Sequence, residues 1–159
     1  MLMTTHDITQ QLRTLTDHAE ITALLDSYQH SLDQGPFDLA WAADHYTTDA
    51  RIEVPVGVAE GHAEIARSTT EGIGLFARTQ HLGLNYAISL GGDGDGATVR
   101  ANVVSIHVLR GERPADHLFA SGGWNDYALL RTPDGWRIQR QSMHLTWTQG
   151  EPPQLPATN

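Results

Sequence analysis

Three stretches of the sequence carry groups able to move or hold a proton: "RTQHLGLNYAI" with His81, "VVSIHVLR" with Ser105 and His107, and "WNDYALLR" with Asn125 following the tryptophan. Each reads as a β-strand, in which side chains alternate between two faces. An imidazole in such a run either meets solvent or faces a cavity. The absences narrow the chemistry. There is no cysteine, which removes thiolate nucleophiles and cysteine-ligated metals. All ten basic residues are arginine, so no lysine is present for a Schiff base or a phosphate loop. What remains is nine histidines, nineteen carboxylates, four tyrosines and the hydroxyls of serine and threonine.

Strict alternation groups these residues. His81 falls with Gly83, Asn85 and Ala87, opposite Gln80, Leu82, Leu84, Tyr86 and Ile88. Val103, Ser105 and His107 share a face, as do Ser121, Gly123, Asn125 and Tyr127. The last strand puts Trp136, Ile138, Arg140, Ser142 and His144 together. One sheet face is therefore expected to collect His81, Val103, Ser105, His107, Asn125 and Arg140. Such a set suits an apolar cavity wall with a few convergent polar groups; the alternative is an exposed convex surface on which the histidines do nothing.

The elements that must position them read in order. Asp7 caps a first helix carrying Ile8, Leu12 and Leu15. Asp17, with Glu20 three residues on, caps a second along the stripe Ile21, Leu24, Leu25, Tyr28 and Leu32. "PFDLAWAADHY" is a short third helix, "ARIEVPV" a strand and "GHAEIARSTTEGIGLFA" a fourth helix. Four long strands follow from Arg78, with "GGDGDG" and "TPDG" as hairpin turns. Helices followed by a run of largely antiparallel strands is an α+β layout, one domain over residues 1–150 with an irregular tail at 151–159. A net charge of −9 without a basic cluster argues against nucleic acid and anionic membranes. No apolar run reaches membrane-spanning length and no signal peptide is evident, so a cytoplasmic protein is expected.

The stretches "SYQHSLDQGPFDLAWAADHYTTDARIEV", "RTQHLGL", "VVSIHVLR" and "WNDYALLRTPDGWRI" resemble the SnoaL-like branch of the nuclear transport factor 2-like superfamily, near the scytalone dehydratases and bile-acid 7α-dehydratases. The resemblance spans residues 10 to 148. It implies a cone-shaped α+β barrel whose helices pack on a curved antiparallel or mixed sheet around a pocket. Carried over by position, it implies that His81 is the catalytic histidine and Asp33 its carboxylate partner. It also places His107 and Tyr28 in the catalytic set, Asn125 and Arg140 in the pocket, and Leu32 and Val54 where scytalone dehydratase has tyrosines.

A neutral imidazole oriented by a carboxylate is a competent base near neutral pH. The expected activity is elimination of dehydratase type on a small hydrophobic cyclic substrate, with no cofactor and no metal. A polyketide cyclase or a double-bond isomerase would need the same base. A non-catalytic binding or dimerisation module and a histidine-metal enzyme are the further alternatives. The outer sheet face with Trp124 suggests a homodimer or homotrimer.

Overall fold

A computed structural model describes residues 5–110 and 118–153. The elements are α1 (Thr5–Ser31), α2 (Leu39–His45), β1 (Tyr46–Val54), β2 (Gly57–Glu60), α3 (Gly61–Gly74), β3 (Phe76–Leu90), β4 (Gly96–Leu109), β5 (Leu118–Thr132) and β6 (Gly135–Gln149). Six strands form one sheet in the order β2-β1-β6-β5-β4-β3. Only β1 and β6 run parallel; the other pairs are antiparallel. The sheet is mixed and unclosed, and the three helices pack on it: the α+β cone implied by the sequence.

The two expected N-terminal helices are one. Asp17 does not cap; it is buried and paired with Arg131 Nη2 at 2.6 Å, while Arg131 lies over the Trp136 ring and donates to the Gly94 carbonyl. That contact ties α1 to both hairpins and explains why the chain stays helical through Asp17. The preceding turns carry their apolar residues into solvent, with Leu15 68% exposed. The buried stripe starts after them, at Ile21, Leu25, Tyr28 and Leu32. The third expected helix starts later than its proline: Asp38 caps α2 by accepting from the Trp41 N–H at 2.8 Å. Strand β2 was not anticipated from the sequence.

Strict alternation also fails, at bulges. The β3–β4 register shifts between Leu84 and Ala87, where Asn85 adopts φ +58°. The extra residue turns Asn85 outward and brings Tyr86 and Ile88 against the core. A second shift, between Ala128 and Leu129 against β6, reverses β6 after Ile138. Gln141 is thereby buried, while Arg140 and His144 are exposed. The core between helices and sheet is built from Ile21, Leu25, Trp41, Tyr46, Ile65, Leu129 and Ile138. On the outer face, Trp124 is covered: it stacks on His144 at 5.0 Å, with Arg100 above it. The exposed large apolar residues of the described sheet are instead Val58, Leu82, Leu84, Leu118, Leu145 and Trp147.

Candidate active site

Asp33 sits in the turn that ends α1, where the amides of Asp33, Gln34 and Gly35 fold back on the carbonyls of His30 and Ser31. The turn aims the carboxylate at β3. Its Oδ2 accepts the backbone N–H of His81 at 3.0 Å, and its Oδ1 accepts Nδ1–H of the same residue at 2.7 Å. Thr79 donates its hydroxyl to Oδ1 at 2.9 Å. Thr79 and His81 are two apart on one strand, so both reach the same carboxylate. A carboxylate only accepts from a neutral imidazole, so the proton lies on Nδ1 and Nε2 keeps its lone pair. The His81 side chain retains 10% of its surface and Asp33 21%.

Cross-strand register supplies the neighbours. Thr79, His107 and Phe119 form one row of the inner face; His81, Ser105 and Ser121 the next; Gly83, Val103 and Gly123 the third; Ala101 and Asn125 the fourth. Ser105, Ser121, His107, Val103 and Asn125 are all buried, so the sheet brings together four of the residues expected near His81. The His107 ring lies edge-on to His81 at 5.3 Å and stacks on Phe76 at 4.2 Å. Its Nδ1 donates to the Phe119 carbonyl at 3.1 Å. Burial, and secondarily the neighbouring His81, hold its pKa below the ordinary imidazole value. Neutral His107 therefore offers Nε2 as an acceptor, not as a donor.

Other expected site residues lie elsewhere. Arg140 is on the outer face, near the carboxylates of Asp49 and Glu53; the β6 bulge puts it there. Tyr28 is in the core, its ring against Trp41, His45 and Tyr46. Tyr46 and Gln141 share hydrogen bonds with its hydroxyl, and burial raises its pKa. Val54 is half-buried at the end of β1, opposite Gly57.

Sequence reasoning missed most of a further polar set, buried except for Tyr86 and Asp26, of which only Asn125 was expected. Tyr46 donates to Gln141 Oε1 at 3.3 Å. Asn125 Nδ2 and Gln29 Nε2 both donate to the Tyr127 hydroxyl, at 2.8 and 3.2 Å. Tyr86, turned inward by the Asn85 bulge, donates to Asp26 Oδ1 at 2.6 Å; burial, and secondarily that bond, raises its pKa. A Cβ on Gly83 would stand 2.5 Å from the Tyr86 hydroxyl, so glycine is what lets the Tyr86 hydroxyl pass over β3 at that position to reach Asp26. Gln29 was legible, one residue from Tyr28 on the buried helix stripe; Gln141 and Tyr86 were not, because both depend on bulges.

A SnoaL-like domain model matches residues 13–142, and the chain belongs to that family. An uncharacterized protein of Mycobacterium tuberculosis is 31% identical over 129 residues, covering 80% of this chain and 84% of its own length. Among solved structures, a scytalone dehydratase-like protein of Novosphingobium aromaticivorans superposes with TM-score 0.77 at 23% identity, covering 94% of this chain and 95% of that one. A type 2 hexachlorocyclohexane dehydrochlorinase superposes at 0.76 with 14% identity, covering 93% and 97%. A nuclear transport factor 2-like protein with a cystatin-like fold, also from N. aromaticivorans, gives 0.70 at 24%, covering 92% of each. These likenesses show the fold, the nuclear transport factor 2-like cone.

Proposed function

We propose that the chain is a cofactor-independent lyase in which His81 and Asp33 act as an acid–base pair on a small hydrophobic cyclic substrate. The observation that carries this reading is the double grip of Asp33 on His81, through backbone N–H and Nδ1. It fixes the tautomer and leaves Nε2 as the base. His81 Nε2 takes a carbon-bound proton, and the C–H electron pair becomes the new double bond. The adjacent C–O bond breaks, and the departing oxygen takes the proton back from the imidazolium to leave as water. Asp33 stabilises the imidazolium during that interval. Two proteins of matching fold are named for eliminations, a dehydratase and a dehydrochlorinase, which fits the same class.

The test is mass spectrometry of a panel of cyclic alcohols and chlorides incubated with wild type and with His81→Ala. A product lighter by one water or one hydrogen chloride, formed only by wild type, supports a lyase. A mass-neutral conversion moves the assignment to an isomerase or cyclase using the same base. Binding without turnover in both proteins overturns catalysis by His81.

A further inference from the structure

Asp33 accepts one hydrogen bond that does not come from His81. Thr79 donates its hydroxyl to Oδ1 at 2.9 Å, the same oxygen that accepts Nδ1–H of His81. The Leu32 carbonyl also faces that hydroxyl, at 3.4 Å. Threonine has one hydrogen to give, and the nearer, charged acceptor takes it. The turn at the end of α1 fixes the backbone of Asp33, but two torsions separate that backbone from the carboxylate. The Asp33 side chain keeps 21% of its surface, so solvent competes for its lone pairs. A water on Oδ1 would draw the carboxylate out of line with the imidazole. Thr79 fills that place with a group of fixed direction. Its β-branched side chain is stiff at χ1, and the ladder holds its backbone opposite His107. Two residues along β3, His81 shares its face.

We infer that Thr79 is a positioning residue of the candidate site: its hydroxyl holds the Asp33 carboxylate in the orientation that keeps the His81 proton on Nδ1. It acts through Asp33 and touches no reacting atom in this role. With the hydroxyl in place, Oδ1 accepts both Thr79 and His81, and Oδ2 accepts the His81 backbone N–H. The carboxylate is thus tied at both oxygens to one strand and moves with the histidine that it orients. Without the hydroxyl, only the backbone N–H at Oδ2 holds it independently of the ring. A single hydrogen bond leaves the group free to pivot, just when the imidazole takes up or releases a proton. Valine at this position keeps the shape and gives Oδ1 to solvent; serine restores the donor without the stiffness. This rests on the reading of His81 and Asp33 as an acid–base pair and assigns the residue that sets the geometry of that pair.

Long-range proton–nitrogen NMR of the imidazoles of the whole chain reads the tautomer directly and needs no substrate; the His81 signals are those missing from His81→Ala. Wild type is expected to show His81 as the Nδ1–H tautomer at mildly alkaline pH, with a slowly exchanging Nδ1 proton. Thr79→Val should speed that exchange at least about tenfold, the scale of one hydrogen bond to a charged group, and bring the Nε2–H tautomer into view. Thr79→Ala, which also lacks the donor, should repeat both changes. Thr79→Ser should keep most of the wild-type signature. On a substrate found in the panel, Thr79→Val should lower kcat about tenfold with KM nearly unchanged, and Thr79→Ser should recover most of it. Urea melts of each variant separate these changes from unfolding. An unchanged tautomer and exchange rate in Thr79→Val and Thr79→Ala overturns the positioning role and leaves the dyad standing. A Thr79→Ser protein as impaired as Thr79→Val overturns it as well, because the methyl group and not the hydroxyl then matters. Wild type in the Nε2–H tautomer sinks the positioning role and the acid–base reading together. The expected signature in a protein that catalyses no elimination would instead sink the lyase assignment and leave the role of Thr79 standing.

Discussion

The inner face of the sheet holds two polar clusters that differ in charge and in access. The first is His81, Asp33 and Thr79, in which a carboxylate orients an imidazole that still reaches solvent. The second is Tyr28, Tyr46 and Gln141, with Tyr127, Asn125 and Gln29 adjoining. These groups are neutral, buried and joined mainly to one another. A buried neutral network rigidifies a core but offers no proton at neutral pH, and burial pushes the pKa values of Tyr46 and Tyr127 well up. Hydrogen bonding alone does not make a reactive site. A base needs an orienting partner, an unshared lone pair and access from outside, and of the two clusters the first holds a carboxylate-oriented imidazole that reaches solvent.

Substitutions should separate the clusters by the quantity that each one moves. His81→Ala is expected to lower kcat/KM on a substrate found in the panel by about 10²- to 10⁴-fold, the span of general-base catalysis, with little change in unfolding free energy. Steady-state kinetics beside urea melts would show it, and a comparable loss of stability would erase the contrast. Asp33→Asn should come next, on the order of 10²-fold in kcat, because an amide does not hold the Nδ1–H tautomer. Its KM should move less than its kcat.

The second cluster should answer in the other currency. Gln141→Leu leaves the Tyr46 hydroxyl without its acceptor and should destabilise the fold by about 1–3 kcal/mol, with turnover per folded molecule nearly unchanged. Loss of activity without loss of stability would move Gln141 into the catalytic machinery. Acid sharpens the comparison further. Burial lowers the pKa of His107 and of His45, so below the unfolded-state value of about 6.5 the unfolded chain binds more protons than the folded one. Stability should therefore fall as pH drops from 7 to 5. His107→Gln should flatten part of that slope in urea melts at the two pH values. The smallest effect belongs to Arg140→Ala: on the outer face it should change stability by about 0.5 kcal/mol or less and leave kinetics as they were.

How much of this was legible before folding depends on the residue. His81 and Asp33 stand forty-eight apart in sequence, and no periodicity joins them; the resemblance to a family paired them, and the helix-ending turn brings them to 2.7 Å. His107, Ser105, Val103 and Asn125 followed from alternation, because no bulge lies between the positions compared. Arg140 and Tyr86 were assigned to the wrong faces for one reason: a single inserted residue in a strand reverses every side chain beyond it. Asp17 was misread as a cap because a capping pattern is local, while the arginine that buries it arrives 114 residues later.

Composition excluded thiol and lysine chemistry, apolar spacing marked the buried stripe of α1, and alternation with turn residues marked the long strands. Those are local properties of the chain, and they survived folding. The tertiary structure decided which face each strand half presents, which hydroxyls and amides pair out of solvent, and which carboxylate grips His81. Such outcomes depend on bulges, crossings and long-range partners, whose energies exist only once distant segments are packed together.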